Sequence, residues 1–291
     1  MSSMASIVPS PCDRFSLRVA AWRLRFCNPL PGSFSGAAQE REQDDQRHHR
    51  PPLDGVAARR VAVRAMRGSL GFVAVVAFVL GPALAWLHIV PPLAGFVVFA
   101  LGGLLALVAA LAGIVQAVRG RGFAPGAAAA LAVAAVFVFA ASRGAGVPRI
   151  NDYTTDVSDP PVFTHAATLP ANAGRDLGYP PAFVAEQRQC CADLAPMRLA
   201  IAPSDAFVRA RGVAEHMPSW TVTSADPQAG TIEAFAESAL FHFKDDVVIR
   251  VRPDGGGSRI DMRSKSRDGK GDFGVNAAHI RAFAAALGAA R

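Results

Sequence analysis

Residues 241–280, FHFKDDVVIRVRPDGGGSRIDMRSKSRDGKGDFGVNAAHI, decide the fold of the C-terminal half of this chain. Apolar residues recur at every second position, at 247, 249 and 251 and again at 260 and 262, and a period of two is typical of strands with one buried face. The run Asp254-Gly-Gly-Gly257 between them predicts a hairpin turn. The polar, glycine-rich stretch 264–276 then leads directly into a segment with apolar residues at helical spacing.

The sequence upstream of this block predicts one helix and two further strands. A helix is expected over 204–216 and strands over 220–224 and 231–240, with a turn at 226–230 between the strands. Short connections favour an antiparallel meander. We therefore predict an α+β fold: a two-layer sandwich with a four-stranded antiparallel meander and flanking helices. The apolar face of this sheet is predicted to carry Val247, Ile249, Val251, Ile260 and Met262.

The opposite face of the predicted sheet is polar. In a plausible register Arg250 faces Asp261 and Glu233 faces Arg252. One explanation is a solvated face whose opposite charges pair across the strands, each pair contributing roughly 0.2–1 kcal/mol. The other is a concave polar face that binds an anionic or amphipathic ligand.

Three motifs in the C-terminal block and one upstream of it resemble the family known as domain of unknown function 1499 (DUF1499). They are Phe243–Asp246, Arg250–Pro253, Ser264–Asn276 and the lead-in Ile150–Pro161. The resemblance implies one domain across roughly residues 149–288, and it implies no activity. The sequence departs from the family pattern at Cys191-Ala192.

Cys190 and Cys191 are expected to be packed or unpaired thiols, since a disulfide between sequence neighbours departs from the usual Cα separation. A redox or intermolecular role is the alternative.

Three apolar stretches, 70–90, 93–118 and 123–142, predict three transmembrane helices. Arginines precede the first stretch and follow the second, at Arg119 and Arg121, whereas the connection 88–92 has none. Under the positive-inside rule this places the N-terminus in the cytoplasm and the C-terminal domain in the periplasm of a multi-pass inner-membrane protein. If the third stretch does not insert, the domain stays cytoplasmic.

The net charge of +7 is unevenly distributed along the chain. Residues 55–150 carry eight arginines and no acid, whereas residues 151–291 carry fifteen basic and seventeen acidic side chains. A nucleic-acid-binding domain concentrates positive charge on its own folded surface, so nucleic-acid binding is not predicted. The predicted organisation is a disordered basic arm or mis-assigned start (1–67), a three-helix transmembrane region (68–142), a linker (143–168) and a soluble domain (169–291).

The loop 264–276 offers glycine amides, hydroxyls and the cations Arg267 and Lys270 before a helix, which is typical of anion sites. The alternative is that Asp272 and Asn276 cap the helix. The spacing of nucleotide loops, of hydrolase motifs and of zinc ligands is absent from the sequence. No catalytic residue, metal or cofactor is therefore assigned. The candidate ligand-binding residues are Arg250, Arg252, Arg263, Ser264, Ser266, Arg267, Asp272 and Asn276.

Three functions remain open on the sequence. The favoured one is a non-enzymatic membrane protein of the cell envelope, whose exported domain binds an anionic or amphipathic ligand or a partner protein. The second is a membrane-tethered, hydrolase-like enzyme using Ser264, Arg267 and Asp272. The third is a structural subunit of a membrane assembly, in which Gly102-Gly103 allows close helix contacts.

Overall fold

The computed structural model describes residues 55–123 and 125–290, so most of the predicted arm lies outside the described residues. The helices are α1 (Gly55–Trp86), α2 (Pro92–Val118), α3 (Pro125–Ser142), α4 (His165–Thr168), α5 (Phe183–Cys190), α6 (Pro203–His216) and α7 (Val275–Ala289). The strands are β1 (Asp152–Thr154), β2 (Met197–Leu199), β3 (Trp220–Asp226), β4 (Thr231–Glu237), β5 (Lys244–Asp254) and β6 (Gly257–Ser266).

Two helices in the described part of the chain are long and apolar enough to cross a membrane, where the sequence predicts three. They are Ser69–Trp86 within α1 and all of α2, whereas the apolar part of α3, Gly126–Ser142, is shorter. Many of their large apolar side chains face outward, and glycines and alanines are buried between the helices. Small residues inside and large apolar residues outside are typical of membrane helices, which indicates a membrane anchor.

The C-terminal region is an α+β domain built on a six-stranded antiparallel sheet. The predicted meander is confirmed, because β3, β4, β5 and β6 are neighbours in that order. The prediction of four strands is wrong: β1 and β2 both pair with β6 as well. Each added strand has only three residues, too few to produce a readable alternation. Strand β1 lies in the stretch predicted as a linker.

One face of the sheet forms the main core, as predicted. All five apolar side chains predicted for it are buried, and α6 and α7 cover them. Trp220 stacks on Phe283 of α7 at 6.0 Å between ring centroids. Fully burying an aliphatic side chain of this size contributes about 1.5–3 kcal/mol, so this face supplies most of the driving force for folding the domain.

The strand register agrees with one predicted cross-strand pair and contradicts the other. Arg250 lies opposite Asp261, as expected. Glu233 lies opposite Val248 rather than Arg252. The reason is the position of the β4–β5 turn: β4 ends at Glu237, which pairs with Lys244, and not at Leu240 as the sequence pattern predicts.

Candidate functional site

The second face of the sheet is covered by the segment 155–180, so it is neither solvated nor open. Phe163 packs against Val248. The Glu233 carboxylate accepts hydrogen bonds from the three backbone amides of residues 164–166, at 2.7–2.8 Å. The expectation of an exposed polar face is therefore wrong, because the chain uses its own lead-in to cover that face.

Arg263 lies at the centre of this covered face. It donates to both carboxylate oxygens of Asp152, at 2.9 and 2.7 Å, and Lys265 donates to the same carboxylate at 2.9 Å. Its guanidinium lies over the rings of Phe163 and Tyr179. Only 2% of Arg263 is exposed. Arg263 also donates to the carbonyls of Pro161 and Leu177, and these contacts fasten the covering segment to the sheet.

Arg250 and Arg252 lie toward the hairpin end of β5. Both donate to the carboxylates of Asp159, on the covering segment, and of Asp261, on β6. The hydrogen bonds from Arg252 and Arg250 lower the pKa of Asp159 below its usual value. Asp261 has no exposed surface, and Arg259 donates to it at 2.9 Å.

Arg267 lies at the other end of the same face. It forms two hydrogen bonds with Asp246, at 3.0 and 2.6 Å, and its guanidinium lies over the ring of Phe235. Arg175 of the covering segment is 3.5 Å from the other oxygen of Asp246. The four predicted arginines thus form three separate ion-pair clusters, each of which also contacts the covering segment 155–180.

The remaining four candidate residues are brought together on the core face, under the start of α7. Ser264 donates to Asn276 at 2.5 Å, and the Asn276 amide donates to Ser266 and Asp272, both at 2.7 Å. Asp272 also accepts from the backbone amides of Gly274 and Asn276, both at 2.8 Å. This is the helix-capping role that the sequence offered as the alternative to ligand binding. Burial raises the pKa of Asp272.

Asp245 and His279 extend this cluster, and sequence reasoning assigned neither of them. His279 Nδ1 is 3.5 Å from the Ser264 hydroxyl and 3.7 Å from Asp245 Oδ2. Burial raises the pKa of Asp245 to about 6 and lowers that of His279 to about 4. Helical spacing could have identified His279, because it follows Asn276 by three residues and therefore lies on the same side of α7.

The end of the domain that carries the 264–276 loop contacts the apolar helices. Phe241, in the β4–β5 turn, is 8% exposed and lies 5.6 Å from Phe96 and 5.5 Å from Phe99 between ring centroids. Phe243 contacts the same Phe96 ring at 6.0 Å. Gly144, just beyond α3, leaves room for the ring of Phe273, since a Cβ there would lie 2.1 Å from that ring. We call this surface, residues 238–244 and 267–274, the helix-facing end.

A surface groove of about 780 Å³ separates α6 from α7. It is lined mainly by small and aliphatic side chains, with Arg209 and His216 among the polar residues at its edge. The groove holds no buried charged group, and it therefore offers no fixed partner for a polar ligand. In the described residues, no group of three or more His, Cys, Asp or Glu side chains could hold a metal ion.

Cys190 and Cys191 form a disulfide, so the prediction of packed or unpaired thiols is wrong. Helix α5 ends between them. Cys191 has non-helical dihedral angles, φ −141° and ψ 44°, and this change of direction lets the two side chains meet.

Comparison with known families identifies the C-terminal domain and no further relative. Residues 152–287 match the profile described as "Protein of unknown function (DUF1499)". No curated protein and no solved structure matches the chain significantly.

Proposed function

We propose that this protein, whose residues 152–287 match the DUF1499 family model, is a membrane-anchored binding protein rather than an enzyme. In this proposal the domain binds an anionic or amphipathic ligand of the cell envelope at the bilayer surface. A partner protein at the same surface is the second possible occupant. The observation that carries the proposal is the contact between the helix-facing end of the domain and α2.

This contact supports a ligand position at the bilayer surface. Phe96 and Phe99 belong to the first two turns of α2, where that helix would enter the bilayer. The 264–276 loop lies at the same end of the domain, because the amide of Arg267 donates to the carbonyl of Lys244 beside the β4–β5 turn. A ligand held by this loop would therefore touch the bilayer surface, which favours an amphipathic molecule.

The proposed orientation places the N-terminus in the cytoplasm and the domain in the periplasm, with α3 as the third span. Helix α3 runs back along α2: a Cβ at Gly113 would meet Ala127, and one at Gly103 would meet the Phe137 ring. The Arg119–Arg121 connection then lies on the side away from the domain. Eighteen helical residues span roughly 27 Å, close to the ~30 Å hydrocarbon core. These features support three spans with the arginine-rich connections inside.

The enzyme alternative has less support from the geometry. The hydroxyl of Ser264 is buried and donates to Asn276. A serine–histidine–carboxylate relay uses both ring nitrogens of the histidine. Here Ser264 and Asp245 both lie near Nδ1 of His279. The side chains proposed to react are instead held in ion pairs and helix-capping contacts.

The assembly alternative depends on Gly102 and Gly103 being available to a second subunit, and both glycines are covered by helices of this chain. A Cβ at Gly102 would lie 2.4 Å from the backbone of Phe78 in α1, and one at Gly103 would lie 2.3 Å from the Phe137 ring in α3. Both glycines therefore serve close packing within this chain. No surface of small residues is left at this position for a second subunit.

The proposal is tested by purifying the full chain in a mild detergent and identifying co-purifying molecules by native mass spectrometry. We expect an anionic amphiphile that is retained by the wild type and by Arg198→Ala, and depleted in Lys270→Ala. Arg198 is the matched control, since it is an exposed cation on the strand beside the far hairpin. A wild-type protein that carries no anionic amphiphile, or equal retention in all three proteins, would overturn the proposal. A C-terminal reporter that is active in the cytoplasm would overturn the orientation.

A further inference from the structure

We infer that the helix-facing end is itself a membrane-inserting surface: Leu240 and Phe273 enter the leaflet beside the helices, and Arg143, Arg149 and Lys270 bind the headgroups of anionic phospholipids. This inference rests on the proposed function and names its ligand class. It adds a second attachment to the bilayer, made by the domain and separate from the apolar helices.

The first observation is the placement of exposed apolar side chains on the domain. Five large apolar side chains are exposed between residues 150 and 290, and three of them, Leu240, Phe273 and Val275, lie at or next to the helix-facing end. Leu240 is 53% exposed although the next residue, Phe241, is buried against α2. An apolar patch that continues from apolar helices is covered most simply by the lipid that surrounds those helices.

The second observation is how Phe273 is held. Its ring lies against the backbone just beyond α3, yet 62% of the residue is exposed. Its φ is +56°, in the left-handed region that residues other than glycine seldom adopt. Asp272 fixes this conformation by accepting hydrogen bonds from the amides of Gly274 and Asn276. A strained backbone that presents an aromatic ring to the surroundings indicates a function for that ring rather than a packing need.

The third observation is charge. Arg143 follows α3, and Arg149 lies beside the loop, since a Cβ at Gly271 would be 3.4 Å from its Cα. Lys270 is exposed on the same loop. In the described part of the chain, none of these three cations is paired with a carboxylate. They stand next to an apolar patch, as basic residues do on proteins that bind anionic leaflets.

The experiment uses the full chain in nanodiscs of phosphatidylcholine alone or of phosphatidylcholine with phosphatidylglycerol. A phospholipid with a photoreactive acyl chain is included, and crosslinked peptides are mapped by mass spectrometry. We expect crosslinks on the peptides that contain Leu240 and Phe273, and none on the 254–257 hairpin at the opposite end. Phosphatidylglycerol should raise the yield at Phe273, and each cation removed should lower this gain about fivefold.

The variants separate insertion from general damage to the fold. Arg149→Ala with Lys270→Ala should lower the gain from phosphatidylglycerol about 25-fold, whereas Arg198→Ala should keep it. Phe273→Ser should remove the crosslink on its own peptide and leave the one at Leu240. Crosslinks confined to α1–α3, or a yield that does not depend on phosphatidylglycerol, would refute the inference. If the full chain then still retains an anionic amphiphile in native mass spectrometry, the inference fails and the proposed function stands.

Discussion

Replacing Asp152 by asparagine tests the buried ion pairs that join β1 to β6 beneath the covering segment. The Asp152 carboxylate is fully buried and accepts two hydrogen bonds from Arg263 and one from Lys265. Asparagine leaves both cations buried without a counter-charge. Removing one partner of a buried ion pair lowers the free energy of unfolding by about 3–5 kcal/mol. Because Asp152→Asn leaves two buried cations unpaired, we expect a loss at the upper end of this range. That is a large share of the roughly 5–15 kcal/mol that stabilises a typical domain.

The assay is urea unfolding of residues 149–291, followed by the fluorescence of Trp220. This is the single tryptophan of that segment, and it is stacked on Phe283. With a urea dependence of about 2 kcal/mol per molar, a loss of about 5 kcal/mol moves the midpoint down by about 2.5 M. The control is Asp254→Asn, which breaks an exposed pair with Arg198 and should cost less than about 1 kcal/mol.

A second variant, Arg263→Met, tests whether unpaired buried cations cause the loss of stability. That variant removes one cation and leaves Asp152 paired with Lys265, so it should cost less than Asp152→Asn. The reasoning is refuted if Asp152→Asn lies within about 1 kcal/mol of the wild type, on the scale of an exposed pair. It is also refuted if the order of the two buried variants is reversed.

Three further predictions concern other parts of the domain. Burial raises the pKa of Asp245 to about 6 because it disfavours the charged carboxylate. The protonated side chain therefore stabilises the fold fully below its ordinary pKa, and this contribution is lost as pH rises through about 6. Relative to Asp245→Asn, the wild type should therefore lose about 3 kcal/mol between about pH 4 and pH 7 in urea titrations, and parallel pH profiles would contradict this. Glu233→Gln should cost about 3 kcal/mol, because an NH₂ group replaces an oxygen that accepts backbone amides. Early protease cleavage within 155–180 is the readout, and cleavage that begins elsewhere would argue against it. Phe241→Ala should cost about 3–5 kcal/mol in the contact with α2. In the full chain, Phe241→Ala should speed up hydrogen exchange in the β4–β5 turn, whereas in the separate domain, residues 149–291, it should not. Unchanged exchange in the full chain would show that the contact with α2 is weak.

The sequence predicts most of the domain because one face of its sheet is buried throughout. Val247 and Ile260 belong to strands long enough to alternate, and the glycines between them mark the hairpin. The same reasoning fails for β1, which has three residues that are all buried. Three residues are too few for an alternation of polar and apolar side chains to be recognised in the sequence. Its position was therefore predicted as part of a linker.

In the candidate site, too, the sequence predicts contacts between neighbouring strands but not contacts between distant segments. Arg250 and Asp261 were correctly placed opposite each other, since neighbouring strands fix that pair. The partner of Arg263 was not identified, because Asp152 lies 111 residues away in the sequence. A charged side chain on a strand indicates that its face is polar. It does not indicate whether water or another segment of the chain covers that face.

The sequence by itself determined what depends on local chemistry: the apolar helices and a meander with one apolar face, together with motifs that resemble the DUF1499 family. The third apolar segment also forms a helix, although it is shorter than a typical span. Only the tertiary structure decided which surfaces remain available. It covered the polar face with residues 155–180, and it brought the turn around Phe241 and the loop around Phe273 against the helices. The physical reason is that a residue's propensity is local, whereas the burial of a charge or an aromatic ring depends on segments distant in the chain.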